Sequence, residues 1–113
     1  MDDQTVILFT RNGLGHGPES LQLALANKFL QLTLASGRLP AKVLFYTDGV
    51  RLACSGSPVL EPLQEMQQRG VELVLCQTCL ETFGLAGEVQ VGVVGGMGDI
   101  LEALQQAGKV ISV

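Results

Sequence analysis

The sequence of 113 residues has no tryptophan, one tyrosine and one histidine, and only 16% of its residues are charged. It contains no run of lysine and arginine, and its net charge is −4. Proteins that bind nucleic acid neutralise backbone phosphates with clustered basic side chains, so this class is discounted. No apolar segment approaches the roughly 18 residues of a membrane-spanning helix, so no membrane association is expected.

The sequence also has few of the features that are typical of a secreted, disulfide-bonded protein. Its start, Met1-Asp2-Asp3-Gln4, is acidic where a secretory signal begins with basic residues, which predicts a cytoplasmic location. Three cysteines are an odd number and predict reduced thiols instead of a disulfide framework. The length suits one domain over residues 1–113. At 47% hydrophobic residues, some apolar surface is expected between subunits.

Short apolar runs rich in β-branched residues alternate with amphipathic segments. This alternation is typical of a parallel sheet covered by helices on both faces. The predicted strands span residues 5–9, 41–46, 71–75, 89–94 and 109–113. The predicted helices span residues 18–36, 58–69, 78–83 and 97–107, with Ser57 as the N-cap of the second and a turn at residues 47–50.

The first predicted helix carries apolar residues on two sides. One stripe consists of Leu21, Ala24, Leu25, Phe29, Leu32 and Ala35. The opposite stripe consists of Leu23, Ala26, Leu30 and Leu34. Because Lys28 lies within the first stripe, the pattern leaves open which side covers the sheet. The remaining stripe is a candidate contact between subunits.

In a parallel sheet the loops that follow the strands gather at the carboxyl edge, where open α/β sheets bind ligands. Four such loops carry the candidate site residues Asn12 and His16; Asp48, Arg51 and Cys54; Cys76 and Cys79; and Gly95, Gly96 and Met97. The sequence therefore predicts one shared site that holds all three cysteines and the histidine.

Cys76 is the predicted nucleophile of this site. A thiol at a strand end, beside the N-terminus of the next helix, has a stabilised thiolate and a lowered pKa. We therefore expect the Cys76 sulfur to face solvent, whereas Cys54 on its own is consistent with a core residue. A dithiol redox centre of Cys76 and Cys79 remains open. A zinc site formed by the three cysteines and His16 is disfavoured because these four residues are scattered over three loops. No metal is therefore predicted.

The glycine-rich loop Gly13-Leu-Gly-His-Gly17 does not match a nucleotide-binding motif. Pro18 stands where the dinucleotide fingerprint needs its last glycine, and the chain has no Walker lysine. Backbone N–H groups here are still suited to a small anion. No cofactor is predicted.

Phe45-Tyr-Thr-Asp-Gly-Val50 and Gly70-Val-Glu-Leu-Val-Leu-Cys76 resemble the DsrE/TusD-like family of small sulfur-relay proteins, and the likeness covers the whole chain. Gly49-Val50, Cys54-Ser-Gly-Ser57 and Cys76-Gln-Thr-Cys-Leu80 are similar to the DsrE-like C-terminal domain of YedF-type proteins, which are sulfurtransferase-like and linked with selenium metabolism. The resemblance implies a three-layer α/β/α fold, flavodoxin-like in appearance, whose five-stranded parallel sheet places the fifth strand beside the first. It also implies homo-trimers or hexamers.

The resemblance further implies a sulfurtransferase-like activity. Cys76 would accept sulfane sulfur or selenium as a persulfide from a donor protein and pass it to a partner thiol. Cys79 has no counterpart in TusD-like members, so it remains open whether it resolves the persulfide, tunes Cys76 or relays sulfur itself. The alternative is a non-catalytic oligomeric module that binds a small ligand or a metal and whose cysteines are structural.

Overall fold

A five-stranded, all-parallel sheet forms the centre of the structure, a computed structural model that describes residues 4–113. Met1 to Asp3 of the acidic start lie outside the described residues. The strands are β1 Thr5–Phe9, β2 Lys42–Phe45, β3 Glu72–Cys76, β4 Val93–Gly95 and β5 Lys109–Ser112. The helices are α1 Glu19–Ser36, α2 Leu60–Gln68, α3 Gln77–Thr82 and α4 Met97–Gln106, and a 3₁₀ segment spans Thr47–Ala53.

The strand order is β4-β3-β2-β1-β5, so the fifth strand lies beside the first as expected. Phe9 pairs with Phe45 across β1 and β2, and their rings stack 5.7 Å apart. On the same face, Phe29 of α1 meets Phe9 edge to face, and α1 packs against α2. Helix α4 covers the opposite face, where it forms a cleft with Val74 and Val93. The predicted α/β fold with helices on both sides is therefore confirmed.

Helix α1 turns its second apolar stripe towards the sheet. Ala26, Leu30 and Leu34 are buried, whereas Leu32 of the first stripe is 70% exposed. Lys28 is exposed as well, which agrees with the solvation that its charge requires. Gly37 ends the helix with a φ of 72°, in the left-handed conformation that glycine adopts without a steric penalty. Apart from Phe29, which packs on Phe9, the first stripe is thus an exposed apolar face.

The fourth strand is much shorter than predicted. Residues 89–94 were expected to form it, but Val89 makes only an isolated antiparallel bridge with Cys54. Gly92 separates this bridge from β4 with a φ of 81°, and a Cβ there would lie 2.9 Å from the Leu73 carbonyl oxygen. The positive φ of Gly92 interrupts the extended backbone, so pairing with β3 begins only at Val93.

Two other local predictions were wrong. Ser57 is not the N-cap of α2, because its hydroxyl accepts the Val59 N–H (3.2 Å) and the helix begins only at Leu60. The predicted turn at residues 47–50 is the first part of the longer 3₁₀ segment. The remaining element ends differ from prediction by one or two residues, which is the usual uncertainty of fraying ends.

No helix within residues 4–113 has both the length and the apolar character needed to cross a membrane.

Candidate functional site

Cys76 and Cys79 form a pair at the carboxyl end of β3. Cys76 is both the last residue of the strand and the N-cap of α3, and Cys79 is the third residue of that helix. N-cap and third-position side chains face each other at a helix start, and here Cys76 lies close enough to influence the ionisation of Cys79. Neither cysteine forms a disulfide. The strand-to-helix junction therefore brings together the two sulfur atoms that the sequence places three residues apart.

The two sulfurs differ in their access to solvent. Cys76 is only 1% exposed, so the expectation that its sulfur faces solvent was wrong. The cause is the position of β3 between β2 and β4, where Cys76 is still part of the strand ladder and pairs with Gly95. Cys79 is partly exposed and packs against the core from outside. The accessible member of the pair is therefore Cys79, and the predicted catalytic role of Cys76 stays a prediction.

The backbone of Thr47 holds the Cys79 sulfur. Its N–H donates to Cys79 Sγ at 3.0 Å. Thr47 has a φ of 48°, a left-handed conformation that is unusual for a β-branched residue and costs roughly 1–2 kcal/mol. Its hydroxyl proton is shared between the carbonyl oxygens of Thr10 (2.5 Å) and Tyr46 (2.7 Å). These hydrogen bonds fix the strained backbone so that its N–H points at the thiol.

Gly49 explains why the chain can make this turn. A Cβ at Gly49 would overlap the carbonyl group of Phe9, at the end of β1. The close approach lets the 3₁₀ segment lie directly on that strand end, where the Gly49 N–H also donates to the Tyr46 carbonyl at 3.1 Å. Only glycine permits this contact, so Gly49 sets the position of Thr47 and hence of the donor at Cys79.

The pKa of Cys79 is raised. Burial is the main cause, and the neighbouring Cys76 thiol adds to it. The Thr47 N–H acts in the opposite direction because it stabilises the thiolate, while the charge of Asp48 disfavours it. The net effect of these neighbours favours the neutral thiol of Cys79, and the Thr47 N–H is the group among them that favours the thiolate.

Cys54 occupies a different environment at the same edge. It is buried, and its thiol donates to the Val50 carbonyl at 3.2 Å. Burial and the nearby Glu88 carboxylate raise the pKa of Cys54, and Arg51 opposes them. Cys54 lines a cleft of about 200 Å³, which Asn12 also lines. Cys54 has its own partners and is not part of the Cys76–Cys79 pair.

A polar cleft of about 650 Å³ opens beside the 3₁₀ segment. Its lining includes four residues that the sequence placed at this edge and others that it missed: Asn12, His16, Asp48 and Arg51, together with Arg11, Gly17, Glu19 and Gln22. Arg51 Nε donates to Asp48 Oδ1 at 3.1 Å, and its guanidinium lies 4.3 Å from the Phe83 ring centroid. Gly17 belongs to the glycine-rich loop and the other missed residues flank it, so that loop was the signal that could have identified them.

The loop after β4 does not join this polar cleft. Gly95 lines a separate cleft of about 380 Å³ beside α4. The Gly96 N–H donates to Asp99 Oδ2 at 2.9 Å, which fixes the start of the helix that Met97 begins. The predicted single site at the sheet edge is therefore divided into several regions.

The four residues considered for zinc are not brought together either. In residues 4–113, no group of three or more histidine, cysteine, aspartate and glutamate side chains is arranged to hold a metal ion. His16 lines the polar cleft, whereas Cys54 and the Cys76–Cys79 pair have the separate surroundings described above.

The model of the DsrE/DsrF-like family matches residues 4–113, and the chain belongs to this family. No curated protein matches the sequence.

Solved structures share the fold over nearly the whole chain. The ychN protein of E. coli is 24% identical, with complete coverage of both chains and a TM-score of 0.67. MTH1491 of Methanobacterium thermoautotrophicum, a protein of unknown function, is 18% identical, with 99% of this chain and 100% of that chain covered and a TM-score of 0.73. BT1422 of Bacteroides thetaiotaomicron is 19% identical, with 97% and 95% coverage and a TM-score of 0.69. At these identities the likeness concerns the fold.

Proposed function

We propose that this protein is a sulfurtransferase-like carrier that accepts sulfane sulfur, or selenium, from a donor persulfide at the Cys76–Cys79 pair and passes it to a partner thiol. One observation carries the proposal: two free, neighbouring thiols lie at the carboxyl edge of the sheet, where β3 meets α3, and a backbone N–H is donated to the accessible one. Membership of the DsrE/DsrF-like family, generally associated with sulfur relay, supports the same assignment.

The chemistry requires few other groups. Persulfide exchange needs an accessible sulfur that ionises, a donor whose terminal sulfur can approach it, and an acceptor thiol. The Thr47 N–H stabilises the negative charge that appears on Cys79 when its proton leaves, which offsets part of the effect of burial. A general acid–base pair is not needed. Partial exposure and one directed backbone donor are therefore sufficient for a sulfur carrier.

Within the family we place the chain in the YedF-type branch, which is linked with selenium metabolism. The motif Cys76-Gln-Thr-Cys-Leu80 together with Cys54-Ser-Gly-Ser57 supports this placement. The structure gives these motifs distinct surroundings, because Cys54 is a buried hydrogen-bond donor and Cys79 is an acceptor. A cytoplasmic location is part of the proposal, and the odd number of cysteines, which does not suit a disulfide framework, supports it.

The experiment is to incubate the reduced protein with a persulfidated donor protein whose sulfane sulfur is radiolabelled, and then to add a small acceptor thiol. The wild type is expected to remove labelled sulfur from the donor far faster than the double variant Cys76→Ser/Cys79→Ser. Equal rates for the two proteins would contradict the proposal. Repeating the assay with a selenium-loaded donor compares the two cargoes directly.

We further propose that the protein forms a homo-oligomer, trimeric or hexameric, through the exposed face of α1. Leu32 and Leu21 are 70% and 51% exposed there, and Leu25 lies between them on the same face. Light scattering should give a smaller particle for Leu32→Glu than for the wild type. Leu101→Glu, at an exposed leucine of α4, is the matched control. Dissociation by Leu101→Glu alone would move the interface to α4.

The polar cleft favours a second candidate function, a small-ligand-binding module. Arg11 and Arg51 give this cleft cationic groups, His16 adds an imidazole, and Asp48 and Glu19 add carboxylates. Titration with thiosulfate separates this function from the first, because a pure binding module keeps its affinity when Cys76 and Cys79 are both replaced by serine. Loss of that affinity with Arg11→Ala would place the anion in the cleft.

A further inference from the structure

We propose that Cys79, not Cys76, receives the sulfur, and that Cys76 then expels it as hydrogen sulfide by closing a Cys76–Cys79 disulfide. The proposal rests on the proposed function, because it concerns the fate of a persulfide that has formed at this pair. It makes the protein a device for reductive release of sulfur, in addition to a carrier.

Access decides which sulfur reacts first. A donor persulfide must approach the attacking sulfur from outside the fold, along the axis of the bond that breaks. Cys76 is buried within the strand ladder, between β2 and β4, and belongs to the hydrophobic core. Cys79 is partly exposed and lies at the outer side of that core. A donor protein therefore meets Cys79 before Cys76.

The backbone around Cys79 is arranged for a charged sulfur. The Thr47 N–H donates to Cys79 Sγ, and this donor exists only because Thr47 holds a left-handed conformation. Backbone strain of this kind persists where surrounding contacts enforce it, and it concentrates at functional sites. The contacts are the hydroxyl hydrogen bonds to Thr10 and Tyr46. Cys79 therefore has a fixed hydrogen-bond donor that stabilises its thiolate, and this favours Cys79 as the nucleophile.

The position of Cys76 suits the second step. It lies at the N-cap of α3, and Cys79 is the third residue of that helix, so the two side chains are neighbours at the helix start. The inner sulfur of a Cys79 persulfide would therefore lie next to the Cys76 thiol. Burial protects Cys76 from other electrophiles in the meantime. A buried thiol with one sulfur neighbour is suited to a resolving role.

The two steps balance in atoms and electrons. First, the Cys79 thiolate attacks the outer sulfur of R–S–SH; a bond forms between Cys79 Sγ and that sulfur, the R–S bond to it breaks, and R–S⁻ leaves. Second, the Cys76 thiol attacks Cys79 Sγ, the Cys79 bond to the outer sulfur breaks, and that sulfur leaves with the Cys76 proton as H₂S. The sulfane sulfur is reduced by two electrons and the two cysteines are oxidised to a disulfide. A dithiol reductant then restores both thiols.

The test treats reduced wild type, Cys76→Ser, Cys79→Ser and the double serine variant with glutathione persulfide. Released sulfide is quantified, and mass spectrometry with peptide mapping locates any added sulfur. The wild type is expected to release sulfide in proportion to protein and to end as the Cys76–Cys79 disulfide. Cys76→Ser is expected to keep the added sulfur on Cys79 and to release no more sulfide than the double variant. Cys79→Ser should take up no sulfur.

Each contrary result has a distinct meaning. Added sulfur on Cys76 of the Cys79→Ser variant, at the wild-type rate, overturns the assignment of the receiving thiol. A wild type that keeps a stable persulfide and releases no sulfide overturns the release step and leaves the carrier function intact. A wild type that neither gains sulfur nor releases sulfide contradicts the carrier function itself. If Cys76→Ser does not fold, Cys76→Ala, which buries no hydroxyl, replaces it in the comparison.

Discussion

Cys54 and Cys79 both follow a parallel strand at the carboxyl edge of the sheet, yet their sulfur atoms form hydrogen bonds in opposite directions. The Cys54 thiol donates to the Val50 carbonyl, whereas Cys79 Sγ accepts the Thr47 N–H. Burial raises the pKa of both cysteines. A donated hydrogen bond stabilises the neutral thiol and an accepted one stabilises the thiolate. The direction of the hydrogen bond therefore distinguishes the two thiols, and only the bond to Cys79 favours the thiolate that the proposed function requires.

The same 3₁₀ segment carries both partners of this comparison, Thr47 and Val50, so its loss should disturb both thiols. Gly49→Ala places a Cβ into the Phe9 carbonyl group and should lower the free energy of unfolding by about 3 kcal/mol. Urea denaturation measures this change. Gly87→Ala, at a position where a Cβ meets no atom within 4 Å, is the matched control and should stay within about 0.5 kcal/mol of the wild type. Equal midpoints for the two variants would show that the close approach is unimportant.

A narrower change should affect Cys79 alone. Thr47→Gly removes the hydroxyl that anchors the strained turn and loosens the N–H donor at Cys79 Sγ. The alkylation rate of Cys79 at constant pH should fall by less than about tenfold, because one hydrogen bond contributes about 0.5–1.5 kcal/mol. Cys54 should react as slowly as before. Thr82→Gly, at the exposed end of α3, controls for glycine flexibility. A faster reaction of Cys79 would contradict a stabilising role for this donor.

The shared feature of the two thiols, a raised pKa, predicts how stability depends on pH. The folded state keeps the thiol protons at pH values where the unfolded chain loses them, so its stability decreases as the pH rises through and above the ordinary cysteine pKa of about 8.5. Below that pH the contribution of these thiols is fully present. Thermal unfolding of Cys54→Ala should show a shallower decrease in alkaline buffer. An unchanged slope would show that Cys54 ionises equally in both states.

The smallest expected effect concerns the Asp48 carboxylate, whose charge raises the pKa of Cys79. Asp48→Asn should lower that pKa slightly and increase the alkylation rate of Cys79, an effect that salt reduces because the carboxylate is exposed to solvent. Glu102→Gln, on α4, is the charge-matched control. A slower reaction of Cys79 in Asp48→Asn would show that the Asp48–Arg51 pair acts by positioning the segment and not by its charge.

Much of the fold could be predicted from the sequence because its signals are local. Pro18 and Gly37 bracket α1, and apolar β-branched runs mark the buried strands. The site was harder because it depends on neighbours. The burial of Cys76 follows from its place in the ladder beside Gly95, and the short β4 follows from the positive φ of Gly92.

The conformation of Thr47 had no sequence signal at all. A β-branched residue is not expected at positive φ, and tertiary hydrogen bonds alone hold it there. The hydrogen bond from the Thr47 N–H to Cys79 could therefore not be predicted from periodicity or motifs. The glycine at position 49, which makes the turn possible, was noticed only as part of a family motif, and its physical role became evident from its contact with Phe9.

The most direct test of the central claim, that Cys79 is the accessible thiol, is a pulse of a small alkylating reagent on the folded, reduced wild type, followed by peptide mapping of the three cysteines over time. We predict that Cys79 is modified first and that Cys76 and Cys54, which are 1% and 2% exposed, react only on the timescale of unfolding. Modification of Cys76 before Cys79 in the folded protein would contradict the claim.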